Sequence, residues 1–314
     1  MSQSPAEPLR FDGRVAIVTG GGGQKPGLGE TYARYLAARG AKVVVNDLGI
    51  GPVGGGAIPS SAQTVVDEIN ANGGEAIADT HSVADPASAK AVVQTALDAW
   101  GRIDILVNNA GVVFFARFDE ISETDIRSIV DSHLYGNIWM AQAAWPHMKQ
   151  AGYGRIVNIS SDAIYGFPYL TIYSAAKAGI VGLTRGLALE GARLGIKANA
   201  LMPRAATKKH PHMMGLDAPK EVPVSLGTVD QVAPVVAYLC HERCDVSGRL
   251  LFAGAGAVRE FRSYQSAGYT EPQLTIEDVD QNLERVLDQA GAEIVEAVDP
   301  AMFDQIPRRT YVPR

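Results

Sequence analysis

A tyrosine and a lysine four positions apart form the pair in this sequence best suited to proton transfer. Tyr173 and Lys177 lie on a predicted helix, where positions i and i+4 share one face. A phenol with a pKa of about 10 is a poor base near neutral pH, but a neighbouring ammonium group favours the phenolate. Ser160 and Ser161 end the preceding predicted strand and could hold a substrate oxygen. These residue types predict acid–base chemistry opposite a hydride carrier.

A glycine-rich segment could bind a dinucleotide. The run TGGGGQKPGLG covers Thr19–Gly29 and lies between a predicted strand and a predicted helix. Glycines allow the backbone to approach a pyrophosphate, and a helix N-terminus offers free N–H groups and the positive end of the helix dipole. The alternative for such a cluster, taken alone, is a flexible turn.

An aspartate after the second predicted strand favours the dinucleotide interpretation. Asp47 lies 18 residues after Gly29, where a carboxylate can accept hydrogen bonds from the ribose hydroxyls of an adenosine. The same carboxylate would repel a 2′-phosphate, and the next residue is Leu48 rather than an arginine. The sequence therefore predicts NAD rather than NADP. An aspartate in the turn after a strand is also common without any ligand.

Short strands alternate with helices along most of the chain. Strands are predicted at 14–19, 42–46, 75–79, 104–107, 155–160, 197–201 and 249–252. Helices are predicted at 28–39, 62–72, 86–100, 123–148, 172–194 and 229–240, with a bend near Pro146. Near-continuous apolar strands in this order predict an α/β fold, a three-layer, doubly wound, Rossmann-like parallel sheet. The site is expected at the carboxyl ends of the strands.

The predicted organisation is a single domain with a leader and a helical extension. Residues 1–10 are expected to form a flexible leader, 11–259 the dinucleotide-binding domain, and 260–314 an extension packed on that domain. The extension carries one helix signal, with Thr275 as its cap and an apolar face from Ile276 to Leu287. About 55 residues with one helix would bury too little core to fold alone.

Composition and charge exclude several classes of protein. A net charge of −6 argues against a general nucleic-acid binder, and 46% apolar residues exclude a fully disordered chain. No apolar run approaches the roughly 20 residues of a membrane span, and no N-terminal segment resembles a signal peptide. The two cysteines, Cys240 and Cys244, are interpreted as buried structural thiols. A cytoplasmic protein without a metal site is expected.

Five motifs together resemble the short-chain dehydrogenase/reductase family. They are TGGGGQKPGLG at 19–29, NDLG at 46–49, NNAG at 108–111, NISS at 158–161 and YSAAK at 173–177. The resemblance covers roughly residues 10–260, and the combination is far more specific than any single motif. It implies an NAD-dependent oxidoreductase that interconverts a secondary alcohol and a ketone and assembles as a homodimer or homotetramer.

Within the family, the chain most resembles the (3R)-hydroxyacyl-CoA dehydrogenase part of larger multifunctional enzymes. The shared features are the NDLG turn before a glycine-rich insertion, the His-Leu pair at 133–134 where most members have Asn-Leu, and the stretch 232–244. This resemblance implies a 3-hydroxyacyl-CoA as substrate. A hydroxysteroid dehydrogenase that takes a bulky apolar alcohol is the alternative. A non-catalytic NAD-binding protein is a more remote one.

The resemblance also implies roles for single residues. Tyr173 would be the general acid/base, and Lys177 would activate it and bind the nicotinamide ribose. His133 stands where the family usually has an asparagine that helps to hold a proton-relay water, and it could hold that water or simply pack. The implied cofactor contacts are Gly20, Gly27, Leu28, Gly29, Asp47, Ser82, Asn109, Ala110, Gly111, Tyr173, Lys177 and Pro203.

The spacing of two motifs departs from the family pattern. Six residues separate Gly20 from Gly27, which makes this loop three residues longer than usual. Ser161 lies 12 residues before Tyr173, one fewer than usual. Ser160 has the usual interval but should point to the opposite side of the strand, because side chains alternate. Ser161 is therefore predicted to be the catalytic serine.

Two further segments bear on the ligands. His81 and Ser82 replace the usual acidic start of the segment that meets adenine. A basic cluster after the sixth strand could clamp the phosphates of coenzyme A, or it could be a solvated loop. The cluster consists of Lys208, Lys209, His210 and His212. Met213 and Met214 could line an apolar acyl or steroid site, or cover the core.

Overall fold

The computed structural model of the protein describes residues 7–23, 25–49, 61–207 and 226–295. The chain divides into two units, 1–259 and 260–314. That the second unit packs on the first stays a prediction. Of the predicted leader, residues 1–6 lie outside the described ranges. The carbonyls of Leu9 and Arg10 accept hydrogen bonds from the side chains of Arg39 (3.1 Å) and His241 (3.0 Å).

The first unit is built around one eight-stranded sheet. Its strands are β1 (Val15–Thr19), β2 (Lys42–Asn46), β3 (Glu75–Asp79), β4 (Ile105–Asn108), β5 (Gly154–Ile159), β6 (Ile196–Arg204), β7 (Leu250–Gly254) and β8 (Ala257–Phe261). The spatial order is β3-β2-β1-β4-β5-β6-β7-β8, and β1 to β7 run parallel. The strand order reverses between β1 and β4, where ligands of doubly wound sheets bind.

Helices cover both faces of the sheet. They are α1 (Leu28–Ala37), α2 (Ser61–Ala71), α3 (Pro86–Trp100), α4 (Glu123–Val130), α5 (Gly136–Ala151), α6 (Thr171–Gly191) and α7 (Ala233–Cys240). Alternate residues of β1 enter two separate cores. Ala16 and Val18 pack with α1, α2 and α7, whereas Val15 and Ile17 pack with α3 and α5. The predicted three-layer, doubly wound architecture is confirmed.

The predicted helix 123–148 is interrupted by a π-helical turn. Helix α4 passes into this turn at Asp131–Tyr135, and α5 follows directly. The irregularity therefore lies at this turn, while Pro146, where the bend was expected, is inside α5. The side chain of Asn137 donates to the carbonyl of His133 at 2.6 Å. Such turns occur frequently at functional sites.

The last strand of the sheet was not predicted. Strand β7 runs to Gly254, beyond the predicted 249–252, and β8 begins after a connection of two residues. Ala255 (φ 48°) and Gly256 (φ 75°) are both left-handed, as in a type I′ turn. Two-residue connections join antiparallel strands, so the expected all-parallel sheet has an antiparallel edge strand. Asn-Gly or Asp-Gly usually marks such a turn, and Ala255 stands in the place of the Asn or Asp. The turn was therefore not predicted.

The second unit contains the predicted helix. Helix α8 (Ile276–Leu287) is capped by Thr275, whose hydroxyl accepts from the Asp278 N–H at 3.2 Å, and the Asp278 carboxylate accepts from the Thr275 N–H at 2.9 Å. Two unpredicted strands, β9 (Tyr264–Gln265) and β10 (Glu293–Ile294), pair antiparallel. Strands of two residues are too short to produce an alternating pattern.

Within the described ranges, no helix is long and apolar enough to cross a membrane. In the same ranges, no group of three or more His, Cys, Asp or Glu side chains could hold a metal ion. Cys240 and Cys244 are free, buried thiols, and burial raises the pKa of both. These thiols match the structural interpretation given above.

Candidate active site

The residues after β1 and β4 are tied together at the carboxyl edge of the sheet. The buried Thr19 hydroxyl accepts from the N–H groups of Asn109 (3.0 Å) and Ala110 (3.1 Å). The Asn109 side chain donates to the carbonyls of Thr19 and Gly20, both at 3.0 Å. These bonds bring the glycine-rich segment against the NNAG segment. The sequence placed Thr19 in the glycine motif without indicating this role.

Helix α1 begins in direct contact with the glycine-rich segment. A Cβ atom added to Gly29 would lie 2.0 Å from the Gly20 carbonyl oxygen, so only glycine fits there. Gly27 precedes the helix and provides no capping side chain, and its N–H donates to Glu30 at 3.1 Å. The N–H groups of Leu28 and Gly29 lack acceptors within the helix, as at every helix N-terminus. They can therefore receive an anion.

Asp47 lies beside this segment and also forms a turn. Its carboxylate accepts from the Gly22 N–H (3.1 Å), the Gly49 N–H (2.8 Å) and the Ser61 hydroxyl (3.1 Å). The bond to Gly49, two residues on, is the turn contact that needs no ligand. A carboxylate has about four acceptor positions. This geometry is therefore compatible with both interpretations of Asp47, as an acceptor for ribose hydroxyls and as a residue that only stabilises the turn.

The segment after β3 is organised by a buried carboxylate that no motif had indicated. Asp79 accepts from Asn46 (2.7 Å), the Thr95 hydroxyl (2.8 Å) and the His81 N–H (3.0 Å). Burial opposes its ionisation, but hydrogen bonds from His81, Thr95 and Asn46 outweigh burial and hold the pKa of Asp79 below its usual value. The Ser82 hydroxyl accepts a backbone N–H two residues on at 3.0 Å. Hydrogen bonds therefore hold the backbone at His81 and Ser82 in place.

The three predicted catalytic side chains Ser161, Tyr173 and Lys177 converge. Ser161 acts on Tyr173 as a hydrogen-bonding neighbour that favours the phenolate. The Lys177 Nζ lies 5.5 Å from the Tyr173 ring centre and donates to the Ile159 carbonyl at 2.5 Å. Ser160 is buried and donates to the Lys177 carbonyl at 3.0 Å. Ser161, rather than Ser160, therefore lies beside the tyrosine.

Burial dominates the ionisation of this pair. It raises the pKa of Tyr173 to about 12; Ser161 opposes the increase, and the negative charge of Asp162 adds to it. Burial lowers the pKa of Lys177 to about 7. The sequence predicted that Lys177 would favour the phenolate, but in the protein alone both groups shift toward their neutral forms. A positive charge bound next to Tyr173 would lower its pKa.

His133 forms the inner wall of the site. Its ring meets the Tyr173 ring edge to face, with centroids 5.1 Å apart. The Nε2 of His133 donates to the Val112 carbonyl at 2.7 Å. A Cβ atom added to Gly111 would lie 1.9 Å from the histidine ring. These are the contacts of a residue that packs, and its role in holding a water stays a prediction.

Buried polar residues behind the site join β4, β5 and α6. Asn108 donates to Asn158 at 2.9 Å, and Asn158 donates to the Thr184 hydroxyl at 2.9 Å. The Thr184 hydroxyl donates in turn to the Ile180 carbonyl at 2.7 Å. We call Asn108, Asn158 and Thr184 the polar ladder; all three are buried. The ladder sets the spacing between the NNAG segment, the serine strand and the tyrosine helix.

The remaining predicted residues follow β6. Pro203 is near the end of β6 and pairs with Ala253 of β7. The Ala206 N–H donates to the Gly227 carbonyl at 3.1 Å. The basic cluster and both methionines fall outside the described ranges. Those residues are Lys208, Lys209, His210, His212, Met213 and Met214.

Comparison with known proteins establishes the family. Residues 14–211 match the family described as short chain dehydrogenase. The chain therefore belongs to the short-chain dehydrogenase/reductase family and is an oxidoreductase, as the five motifs predicted. The family and the fold together imply a nicotinamide nucleotide as cofactor.

Individual relatives are similar over most of the chain. Peroxisomal multifunctional enzyme type 2 of Drosophila melanogaster is 42% identical over 307 residues, covering 96% of this chain and 49% of that protein. The crystal structure of a short chain dehydrogenase from Mycobacterium avium superposes with a TM-score of 0.75 and 35% identity, covering 88% of this chain and 96% of that one.

A third relative carries a substrate in its name. The (2S)-[(R)-hydroxy(phenyl)methyl]succinyl-CoA dehydrogenase subunit of Thauera aromatica is 38% identical over 195 residues, covering 62% of this chain and 74% of that subunit. In contrast, this chain spans only about half the length of the multifunctional enzyme.

Proposed function

We propose that this protein is an NAD-dependent dehydrogenase that interconverts a secondary alcohol and a ketone, with a 3-hydroxyacyl-CoA as substrate. The observation that carries the reaction is the half-buried Tyr173 side chain beside Ser161, with Lys177 one turn further along α6. The thioester is supported by similarity to a dehydrogenase whose name specifies a hydroxylated succinyl-CoA. A hydroxysteroid is the second candidate, since the side chains near Tyr173 are mostly apolar.

The residues present fit a nicotinamide nucleotide. The uncapped N-terminus of α1 would receive the pyrophosphate, and Asp47 would receive the adenosine ribose. The segment Asn109–Gly111 would line the nicotinamide, and Lys177 would bind its ribose. When bound, the nucleotide supplies the acceptor for the hydride that leaves the carbinol carbon. The charge of Asp47 supports NAD over NADP, because it would repel a 2′-phosphate.

The chain's own residues handle the proton. Ser161 would donate a hydrogen bond to the substrate oxygen and keep it next to Tyr173. Tyr173 would accept the hydroxyl proton during oxidation and return it during reduction. Because the pKa of Tyr173 is about 12 in the protein alone, we expect the phenolate to form only when a positive charge lies nearby.

Replacing the tyrosine tests the reaction. Tyr173→Phe removes the proton acceptor and keeps the ring, so kcat should fall by roughly a hundredfold or more. The assay is NAD-linked turnover of a panel of 3-hydroxyacyl-CoA thioesters and hydroxysteroids, and calorimetric NAD binding serves as the control. Turnover at an undiminished rate would refute the mechanism. A wild-type protein that binds NAD but turns over no alcohol would instead support a non-catalytic role.

Replacing the aspartate tests the cofactor. Asp47→Asn retains an acceptor for the turn and removes the charge. The ratio of kcat/KM for NADP to that for NAD should then rise about tenfold, since a repulsion of about 1.4 kcal/mol disappears. A wild-type preference for NADP would contradict the assignment.

The place of the protein in the cell is part of the proposal. Cys240 and Cys244 are buried as free thiols, which is compatible with a reducing compartment. We propose a cytoplasmic location. Fractionation of the native host, with detection by an antibody to the full chain, tests it. Recovery with organelles would contradict it.

A further inference from the structure

A second cavity lies at the edge of the sheet opposite the candidate active site. Phe11 comes four residues before β1 and Arg39 three residues before β2, so both lie where strands begin. They line a cavity of about 230 Å³ together with Leu9, Tyr35, Tyr238 and His241. We call it the amino-edge cavity. The candidate active site is at the carboxyl edge, so the sheet lies between the two.

The segment before β1 forms one wall of the amino-edge cavity and is held in place by several contacts. The Phe11 N–H donates to the Arg39 carbonyl at 2.8 Å, and the Arg39 side chain donates back to the Leu9 carbonyl at 3.1 Å. The Phe11 ring meets the His241 ring edge to face, with centroids 5.2 Å apart. Because this wall is already fixed, a ligand can bind without the cost of ordering it.

Arg39 brings a positive charge to the cavity, and no carboxylate of the described residues pairs with it. The half-buried guanidinium donates to the Tyr35 hydroxyl at 2.8 Å and lies over the Tyr35 ring, 4.6 Å from its centre. The carboxylate of Asp12, next to the cavity wall, pairs with Arg10. A guanidinium has five N–H donors, and the bonds to Leu9 and Tyr35 use two of them. The side chain can therefore bind an anion as well.

His241 adds no second charge to the cavity. Its Nδ1 accepts from the Arg243 N–H at 3.1 Å, and its Nε2 donates to the Arg10 carbonyl at 3.0 Å. A ring with one acceptor nitrogen and one donor nitrogen is neutral. The remaining lining is apolar apart from the hydroxyl groups of Tyr35 and Tyr238. One positive charge beside an apolar lining suits a ligand with one negative charge on an apolar body.

The volume of the cavity limits the size of this body. A dry apolar cavity of about 150 Å³ takes up one benzene molecule, so the amino-edge cavity has room for one or two rings. We propose that it binds a small monocarboxylate with an apolar body of one or two rings, and that Arg39 holds the carboxylate. This second site lies away from Tyr173, so it is independent of the proposed reaction and of its substrate.

Two matched compounds test the charge in the unmodified full chain. The probes are 2-naphthoate and 2-naphthamide, which share the same rings and nearly the same shape, but only the first is an anion at pH 7. In titrations followed by ligand-observed NMR, the dissociation constant should be about tenfold lower for naphthoate, because hydrogen bonds to charged groups are stronger than neutral ones. Equal affinities, or no binding of naphthoate up to its solubility limit, would overturn the proposal.

Variants of the arginine locate the charge. Arg39→Gln removes it and retains an amide donor, so the preference for naphthoate over naphthamide should disappear, whereas Arg39→Lys keeps the charge and should retain most of the preference. Arg243→Gln is the matched control, since Arg243 is exposed just beyond α7 and does not line the cavity. It should retain the full preference. A preference that survives in Arg39→Gln would overturn the proposal; if that variant does not fold, the two compounds in the wild-type protein still decide.

A titration in the presence of the cofactor separates this cavity from the active site. The protein is first saturated with the nicotinamide nucleotide that it prefers, and naphthoate is then added. Naphthoate should bind with an unchanged dissociation constant and with the same dependence on Arg39, which would support a second site. Displacement of naphthoate by the nucleotide would place the compound in the active site and overturn the proposal.

Discussion

The hydroxyl of Tyr173 has two neighbours with opposite effects on its ionisation. Ser161 stabilises the phenolate, whereas the carboxylate of Asp162 destabilises it and adds to the larger effect of burial. The Ser161 hydroxyl also lies 3.3 Å from the Asp162 carboxylate. Asp162 therefore lowers the fraction of Tyr173 that is ionised at a given pH.

Removing this charge should change the pH dependence of the reaction. Asp162→Asn should lower the pKa of Tyr173, because a negative charge beside the phenolate disappears. Oxidation of the alcohol needs the phenolate, so the midpoint of the kcat/KM profile should move to lower pH. At pH 7 the rate of oxidation should rise roughly two- to fivefold. Asp119→Asn, in the loop between β4 and α4, is the control. If the midpoint of the Asp162→Asn profile stays or moves upward, Asp162 does not act on Tyr173.

At the scale of elements, the π-helical turn and the loop after β4 pack as one unit. The turn places the His133 ring in the space that a side chain at position 111 would need, and it binds the Val112 carbonyl. The same ring contacts Tyr173. The wall of the proposed nicotinamide site and the tyrosine thus depend on one side chain.

A single methyl group tests this dependence. In Gly111→Ala the new Cβ would overlap the His133 ring, so unfolding stability should fall by roughly 1–3 kcal/mol, and NAD binding should weaken as well. Chemical denaturation and calorimetry measure the two effects. In a His133→Ala background the clash is absent, so the same substitution should cost less than about 0.5 kcal/mol. If Gly111→Ala lowers the unfolding stability equally in both backgrounds, a clash with the His133 ring does not cause the loss.

The bounds of helices and strands were predicted correctly where nearby residues signal the ends of the element. Strands β2 and β3 and helix α3 have the predicted bounds, because glycines and the Asp85–Pro86 helix start delimit them. The β7–β8 hairpin and the π-helical turn were missed, since neither carries its usual residue signal. Side-chain alternation was enough to separate Ser161 from Ser160. The contacts of Thr19, Asp79 and the polar ladder join residues distant in sequence, so no local pattern could reveal them.

At the scale of the whole molecule, the outer face of the π-helical turn suggests how copies associate. Tyr135 stacks on Trp139 with centroids 5.8 Å apart, and Tyr135 is substantially exposed. Trp139 is half-buried against the core, so Tyr135 is the exposed ring of the pair, and exposed aromatic rings are enriched at surfaces that associate. The homodimer or homotetramer expected from the family stays a prediction.

Light scattering at several concentrations tests this assembly. The wild-type protein should elute as a dimer or tetramer. Tyr135→Glu places a charge on the exposed face and should weaken association at least about tenfold. Tyr238→Glu, on α7, is the control and should behave like the wild type. A wild-type monomer at all concentrations would contradict the expected assembly.

The polar ladder also limits how protons can leave the site. Each of its bonds has a fixed direction, from Asn108 to Asn158 to Thr184 and on to a carbonyl. An amide donates through nitrogen and accepts through oxygen, so it cannot pass a proton along as a water or an imidazole does. The ladder fixes the site to the interior of the domain, but it does not conduct protons. Protons that Tyr173 exchanges must therefore leave by another side of the site.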